Sequence, residues 1–366
     1  MTAEPPVTLH RMRFAMPASA RIDWPASFGR RFLVTVDVEE EFDWRQPFSR
    51  SARGVTAVAS LPAMHGRLTA AGVAPLYLVD HPVATDPRAA ATVAALAGQG
   101  TEIGAQLHPW VNPPHAERPG VAASFAGNLP PELEAAKLDA LVQAIEHGMG
   151  VRPRAYRAGR YGLGPSTFDL LAGRGFRVDT SMRARHDYRP AGGPDYGAIA
   201  GDAFRIDDRL TELPLSTIDT GRWRRFGRGL HPLAGRIPWG RGLLARGGLL
   251  SRVPLTPEGV DAAEAAYAVA TADLRLLVLS FHSPSLVPGH TPYVRDAADL
   301  ARFHRWWDVV FDALARAGYA PASVTEVIAA ADACRAPVTL PIAPDPVRAR
   351  PAPGHVRSRS VPPPSR

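Results

Sequence analysis

Two carboxylates separated by a single residue, Asp37 and Glu39, follow the run Phe32-Leu33-Val34-Thr35-Val36. Such a continuous apolar, β-branched run suits a strand buried on both faces. Residues two apart on a strand share a face. Asp37 and Glu39 therefore point the same way at the strand's C-terminal end, where α/β folds do their chemistry. Glu40 and Glu41 read as loop acids that cap and solubilise the turn. Further groups recur at the ends of later apolar runs: Asp80 after 75–79, His108 after 101–107, Arg157 within 154–158, Asp179 after 177–178 and His282 after 274–281. A strand-end carboxylate can act as general base, a histidine opposite as general acid, and an arginine can orient the carboxylate. A second carboxylate with a histidine can hold a divalent ion that polarises a carbonyl and acidifies water. Amide or ester hydrolysis is the natural use of such a set. Each residue alone has an ordinary structural reading; the signal lies in their joint placement.

The elements that must carry these groups alternate. After an aperiodic stretch over 1–30, read as an extension or packed arm, strand-like runs fall at 32–36, 75–79, 101–107, 154–158, 177–178 and 274–281, with short strands at 204–206 and 212–215. Helical patterns fall at 55–71, 86–97, 132–147, 166–172, 258–270 and 297–317. Asp86-Pro87 supplies an N-cap and an N1 proline, and Ser323 with Glu326 a capping box for a last helix ending near Cys334. Repeated β–α units imply a parallel sheet, either closed as a barrel or open and doubly wound. Polar groups at the ends of at least five strands favour one shared mouth, hence a barrel. There is no GxGxxG after a strand and no GxxxxGK[ST], so dinucleotide and P-loop readings have no support.

Composition is that of a globular chain: 366 residues, 46% hydrophobic and 21% charged. The single cysteine, Cys334, excludes an internal disulfide and a cysteine-cluster metal site. No apolar run approaches a membrane span, and the N-terminus lacks the apolar core of a signal peptide, so a soluble, cytoplasmic protein is expected. The net charge is +7, but it is not spread evenly. An insertion over 221–257 holds eight arginines and no acid, and the Pro/Arg-rich tail over 336–366, expected to be disordered, is basic too. The remainder of the chain is net acidic. That distribution argues against a nucleic-acid face; it allows peripheral contact of the Arg-rich segment with a membrane or an anionic glycan.

The order of these pieces resembles the polysaccharide deacetylase (NodB-homology, carbohydrate esterase family 4) superfamily, in its WalW-like branch. The motifs that carry the resemblance, across roughly 31–335, are Thr35-Val36-Asp37-Val38-Glu39, Glu102-Ile103-Gly104-Ala105-Gln106-Leu107-His108, Tyr156-Arg157-Ala158-Gly159-Arg160-Tyr161-Gly162, Asp179-Thr180-Ser181 and Leu279-Ser280-Phe281-His282. The resemblance implies a distorted (β/α)7 barrel and removal of acetyl groups from an N- or O-acetylated glycan. It makes Asp37 the base that activates water, Arg157 the residue that orients it and His282 the acid that protonates the leaving group. Trp110, Arg160, Tyr161 and Asp179 fall at the substrate.

The metal site departs from the family pattern. Val38 stands where the family has its second Asp, leaving Glu39 as the nearest acid. Gln106 replaces the first metal histidine and Trp110 the second, leaving His108 at a shifted position. Glu39 and His108 are thus the candidate ligands for a zinc, cobalt or nickel ion. Three functions follow on the one fold: a deacetylase with an altered metal shell, a metal-independent amidase, or a glycan-binding protein without turnover.

Overall fold

Asp37 sits near the end of β1 (Arg30–Val38), the stave around which the sheet forms. The computed structural model describes residues 7–10, 12–98 and 100–334; the tail expected to be disordered lies outside the described residues. The other strands are β2 (Leu76–Val79), β3 (Glu102–Leu107), β4 (Ala155–Ala158), β5 (Val178–Asp179), β6 (Phe204–Arg205), β7 (Thr211–Glu212), β8 (Thr217–Thr220), β9 (Ser251–Pro254), β10 (Leu276–His282) and β11 (Tyr319–Pro321). The helices are α1 (Leu61–Ala70), α2 (His81–Thr85), α3 (Pro87–Ala94), α4 (Pro131–Met149), α5 (Thr167–Gly173), α6 (Gly227–Ala234), α7 (Gly240–Arg246), α8 (Ala262–Thr271), α9 (Ala297–Arg316) and α10 (Val324–Ala333). No helix among the described residues is long and apolar enough to cross a membrane.

The main sheet runs β10-β1-β2-β3-β4-β5-β7-β6, with β11 added beside the start of β1. All its pairings are parallel except β6 with β7. The fold is therefore α/β with a curled parallel sheet. The ladders leave a gap between β7 and β10, and single hydrogen bonds bridge it. Ser216 N–H donates to Val278 O (3.0 Å) and Ser280 N–H to Leu255 O (3.2 Å). Seven staves thus surround one interior.

Side-chain alternation builds that interior. On β1 the inward series is Leu33, Thr35, Asp37; on β10 it is Leu276, Val278, Ser280, His282; on β4 it is Ala155, Arg157. The N-terminal half of each series is apolar, the C-terminal end polar. Leu33, Leu76, Leu78, Ala155, Val178, Leu276 and Val278 fill the lower interior together with Trp24 and Phe28 of the N-terminal arm and Val327 and Ile328 of α10. The opposite strand faces, including Val34, Val36, Tyr77, Val79 and Leu107, pack against the helices in the larger core.

Several expected elements shift. The 55–71 helix divides into a 3₁₀ turn, Thr56–Ser60, and α1. Asp80 caps an additional short helix, α2, by accepting from Val83 N–H. The stop of α4 is Gly150 in the left-handed region, not Gly148. The 258–270 helix begins only after the Asp261 N-cap, so Glu258 lies outside it. The Arg-rich insertion contains α6 and α7 and is flanked by the β8–β9 hairpin.

Candidate active site

The register of β1 against β10 pairs Asp37 with His282, and that of β3 against β4 pairs Gln106 with Arg157. These four side chains meet at the C-terminal end of the interior. Asp37 is 2% exposed. Its Oδ1 accepts from Arg157 Nη1, and its Oδ2 lies 3.4 Å from His282 Nε2. Arg157 is fully spent on positioning: Nη2 donates to Thr35 Oγ1 (2.8 Å) and Thr180 Oγ1 (3.1 Å), and Nε to Thr180 O (3.0 Å). The result is a buried ion pair whose cation has no rotational freedom.

His282 is held on its other side by Glu258. Nδ1 lies 2.6 Å from Glu258 Oε2, and the His282 backbone N–H donates to Glu258 Oε1 (3.1 Å), which also accepts from Ser285 Oγ (2.5 Å). Burial alone would lower the imidazole's pKa. The charges of Glu258, Glu39 and Asp37 outweigh it and push the pKa up to about 10. Burial would likewise raise the Glu258 carboxyl, but the facing imidazolium leaves it below its usual range. His282 therefore carries protons on both nitrogens at neutral pH. Its Nε2–H faces the Asp37 carboxylate, the base that the resemblance implies.

Gln106 Nε2 bridges the two strand-end acids, 3.1 Å from Asp37 Oδ2 and 3.0 Å from Glu39 Oε2. Burial pushes the Glu39 carboxyl up to about 7. Beneath it lies a second network. Glu40, read above as a solubilising loop acid, is 1% exposed. It accepts from Trp110 Nε1 (2.8 Å), contacts His108 Nδ1 (2.7 Å), and its own N–H donates to Asp80 Oδ2 (2.7 Å). Burial pushes Glu40 up to about 8, and burial together with the Glu40 charge raises Asp80 well above the usual range. The loop acid is structural because the turn after β1 buries it against Asp80, His108 and Trp110. Glu41 keeps the expected capping role, accepting from Ala57 N–H and Thr56 Oγ1.

Two groups bring ligand atoms within 4.8 Å of one another, Asp37 with Glu39 and His282, and Glu40 with Asp80 and His108. Such spacing suits a metal ion; the hydrogen bonds compete with it. In the first group, Gln106 N–H, Arg157 N–H and His282 Nε2–H already face the carboxylate oxygens, so a cation would meet hydrogens. Turning the Gln106 amide over would set Oε1 against two carboxylates. As placed, Oε1 is buried without a partner, a smaller penalty. In the second group every oxygen is engaged. Glu39 and His108, the expected ligand pair, fall into different groups, with 3.5 Å between Glu39 Oε2 and His108 Nε2. The two groups remain candidate ligand sets by their spacing, and the side chains as placed turn N–H donors toward the Asp37 and Glu39 oxygens.

A cavity of about 60 Å³ opens beside His282, lined by Glu258, Tyr161, Arg183, Ser216, Leu255 and Tyr293 among others. Of the four expected substrate residues, Tyr161 reaches it. Trp110 does not: it is 2% exposed, stacked on His108 (4.4 Å between centroids) and packed against Phe48. Both ring faces are covered, so no sugar can stack there. Asp179 is fully buried, accepting from Ser181 Oγ (2.5 Å) and paired with Glu212. Arg160 lies among Phe125, Phe48 and Ser124, away from the cavity lining. Gly159 is required by a close approach: a Cβ there would sit 2.3 Å from His108 Cδ2.

Sequence reasoning missed Glu258 and Arg183. Asp261 followed three residues later by Glu264 is a helix-start signal that places Glu258 in the preceding loop. Arg183 carries no such local signal. It lines the cavity beside Tyr161, its guanidinium carbon 5.8 Å from that ring's centroid, and among the described residues no carboxylate lies within ion-pair distance of it.

No protein-family model matches the sequence, and no curated protein matches it. Solved structures similar to this chain include a provisionally assigned polysaccharide deacetylase from Mycobacterium smegmatis (18% identity, 87% of this chain and 96% of that one, TM-score 0.49). A family 4 carbohydrate esterase from Streptomyces lividans shares 10% identity over 80% of this chain and 91% of its own, with a TM-score of 0.38. A family 4 pseudoenzyme from Bacillus anthracis shares 9% over 82% and 66%, with a TM-score of 0.41. These scores lie below 0.5 and these identities below 25%. The fold therefore stands on the strand order and register given above, and the chemistry on the side chains.

Proposed function

We propose that the chain is a hydrolase that removes acetyl groups from an N- or O-acetylated saccharide, as the resemblance to WalW-like deacetylases implies, by acid–base catalysis without a resident metal. The observation that carries this reading is the connected array Arg157–Asp37–His282–Glu258, in which His282 and Glu258 line one cavity and Asp37 lies directly behind His282. Asp37 takes a proton from water as the oxygen adds to the acetyl carbon. His282 Nε2–H gives its proton to the departing amine or alkoxide, releasing acetate. With 3.4 Å between Asp37 Oδ2 and Nε2, the proton gained by the base can pass to the imidazole and restore the starting state. Arg157 orients Asp37, Glu258 orients His282, and Arg183 presents positive charge to the cavity where negative charge develops.

The test is acetate release from acetylated chito-oligosaccharides and acetylated xylan after treatment with a chelator. The expected result is turnover that survives chelation. Asp37→Asn and His282→Ala should each lower it by about 10²–10⁴-fold, the range for loss of a positioned acid or base. Saccharide binding with no acetate from either substrate, unchanged by both substitutions, would instead identify a glycan-binding protein. Activity restored only by added metal would overturn the metal-free mechanism.

A further inference from the structure

Ten large hydrophobic side chains are exposed among the described residues, and six of them, Trp223, Phe226, Leu233, Ile237, Trp239 and Leu243, fall within 21 consecutive positions of the Arg-rich insertion. Trp239 is 81% exposed. The same segment exposes Arg222, Arg224, Arg225, Arg228, Arg236, Arg241 and Arg246 and contains no acid. Its tie to the body lies at the base. Arg252 Nη1 donates to Arg185 O (2.7 Å), and the buried Ala234 and Leu250 face inward. The apolar side chains therefore face outward by construction, since the inner contact is already satisfied.

We infer that α6, α7 and the turns around them form an interfacial element that lies on an anionic lipid bilayer. Interleaved arginines and aromatic or aliphatic side chains match the two layers of such a surface, phosphate charge outside and acyl boundary within. Tryptophan suits the boundary between them. A patch of one charge sign, without internal acids, has no complement on an identical copy of itself. The β8–β9 hairpin carries the element. Ser216 and Pro254 at its foot line the cavity, so about four residues of strand, roughly 13 Å, separate the cavity wall from the insertion. Bilayer binding would hold the cavity near headgroup level.

The test is co-sedimentation of the full chain with phosphatidylcholine vesicles, with and without phosphatidylglycerol. Partition should rise roughly tenfold or more with the anionic lipid and fall in high salt. Two variants should each abolish the gain while keeping the parent's circular dichroism and melting midpoint. One joins Ile237→Ser, Trp239→Ser and Leu243→Ser; the other joins Arg222→Gln, Arg224→Gln, Arg225→Gln and Arg228→Gln. Equal binding to both vesicle types, or full binding by either variant, would overturn the inference. So would a dimer that the apolar variant converts to monomer, which would make a second copy the occupant. Binding to dextran sulfate that needs the arginines but not Trp239 would point to a soluble polyanion. None of these readouts depends on deacetylase activity.

Discussion

His282 cannot serve as an acid unless it is protonated when substrate arrives, and Glu258 is the residue that secures this. Desolvation works against the imidazolium; the carboxylate 2.6 Å from Nδ1 more than offsets it. With the imidazole's pKa near 10, kcat/KM should hold its acid-dependent limb up to about pH 10 and fall above it. Glu258→Gln keeps a hydrogen-bond acceptor near Nδ1 but removes the largest raising charge. The alkaline limb should then move to lower pH by at least about one unit. A pH–rate profile of the two proteins checks this. An unshifted limb would mean that the group titrating there is not His282. Asp37, Arg157 and His282 were legible from the sequence because strand ends and period-two alternation place them. Glu258 was not, because a glutamate beside an alanine-rich stretch reads as helix.

Helix α4 carries a buried acid of its own. Glu134, in its first turn, is 2% exposed and accepts from Thr167 Oγ1 (2.5 Å) at the start of α5. Burial pushes its carboxyl up to about 7 from 4.5. Between those values the folded chain keeps a proton that the unfolded chain releases, so stability falls as pH rises through the window. The whole shift corresponds to roughly 3 kcal/mol. Glu134→Gln removes the titration and keeps the acceptor. Urea unfolding at pH 4 and pH 8 should show the variant gaining on the parent by up to about 3 kcal/mol at the higher pH; no gain would mean that the carboxylate is solvated. The helices and parallel strands could be read because their apolar periods are long and their caps explicit. The β8–β9 hairpin could not. Its strands are four residues each, separated by 30 positions rich in arginine and glycine, and long-range antiparallel pairing leaves no local period.

At the scale of the whole molecule, the interior divides into an apolar floor and a polar mouth, and the floor is closed by chain from outside the β–α repeat. Residues 12–28 show no periodicity because no single element organises them. Their apolar side chains are spent one at a time in separate sites. Met12 and Phe14 join the main core, while Ile22, Trp24 and Phe28 join the inner cluster with Leu33, Leu76 and Leu276. Trp24 stacks on Phe28 with 4.2 Å between centroids and 11° between planes. The arm also contributes Ile22 N–H to Ala203 O (3.1 Å) and Phe14 N–H to Asp195 O (3.0 Å). An arm engaged in this way is part of the barrel. Trp24→Ala would leave an opening in the floor that Phe28 alone cannot fill. The expected loss of unfolding free energy is about 3–5 kcal/mol, the range for large aromatic deletions in cores. Catalysis at the mouth, a full strand length away, should change little at temperatures where the variant stays folded. A loss under about 1 kcal/mol would show that the arm only lies against the barrel, and the domain would then begin at β1.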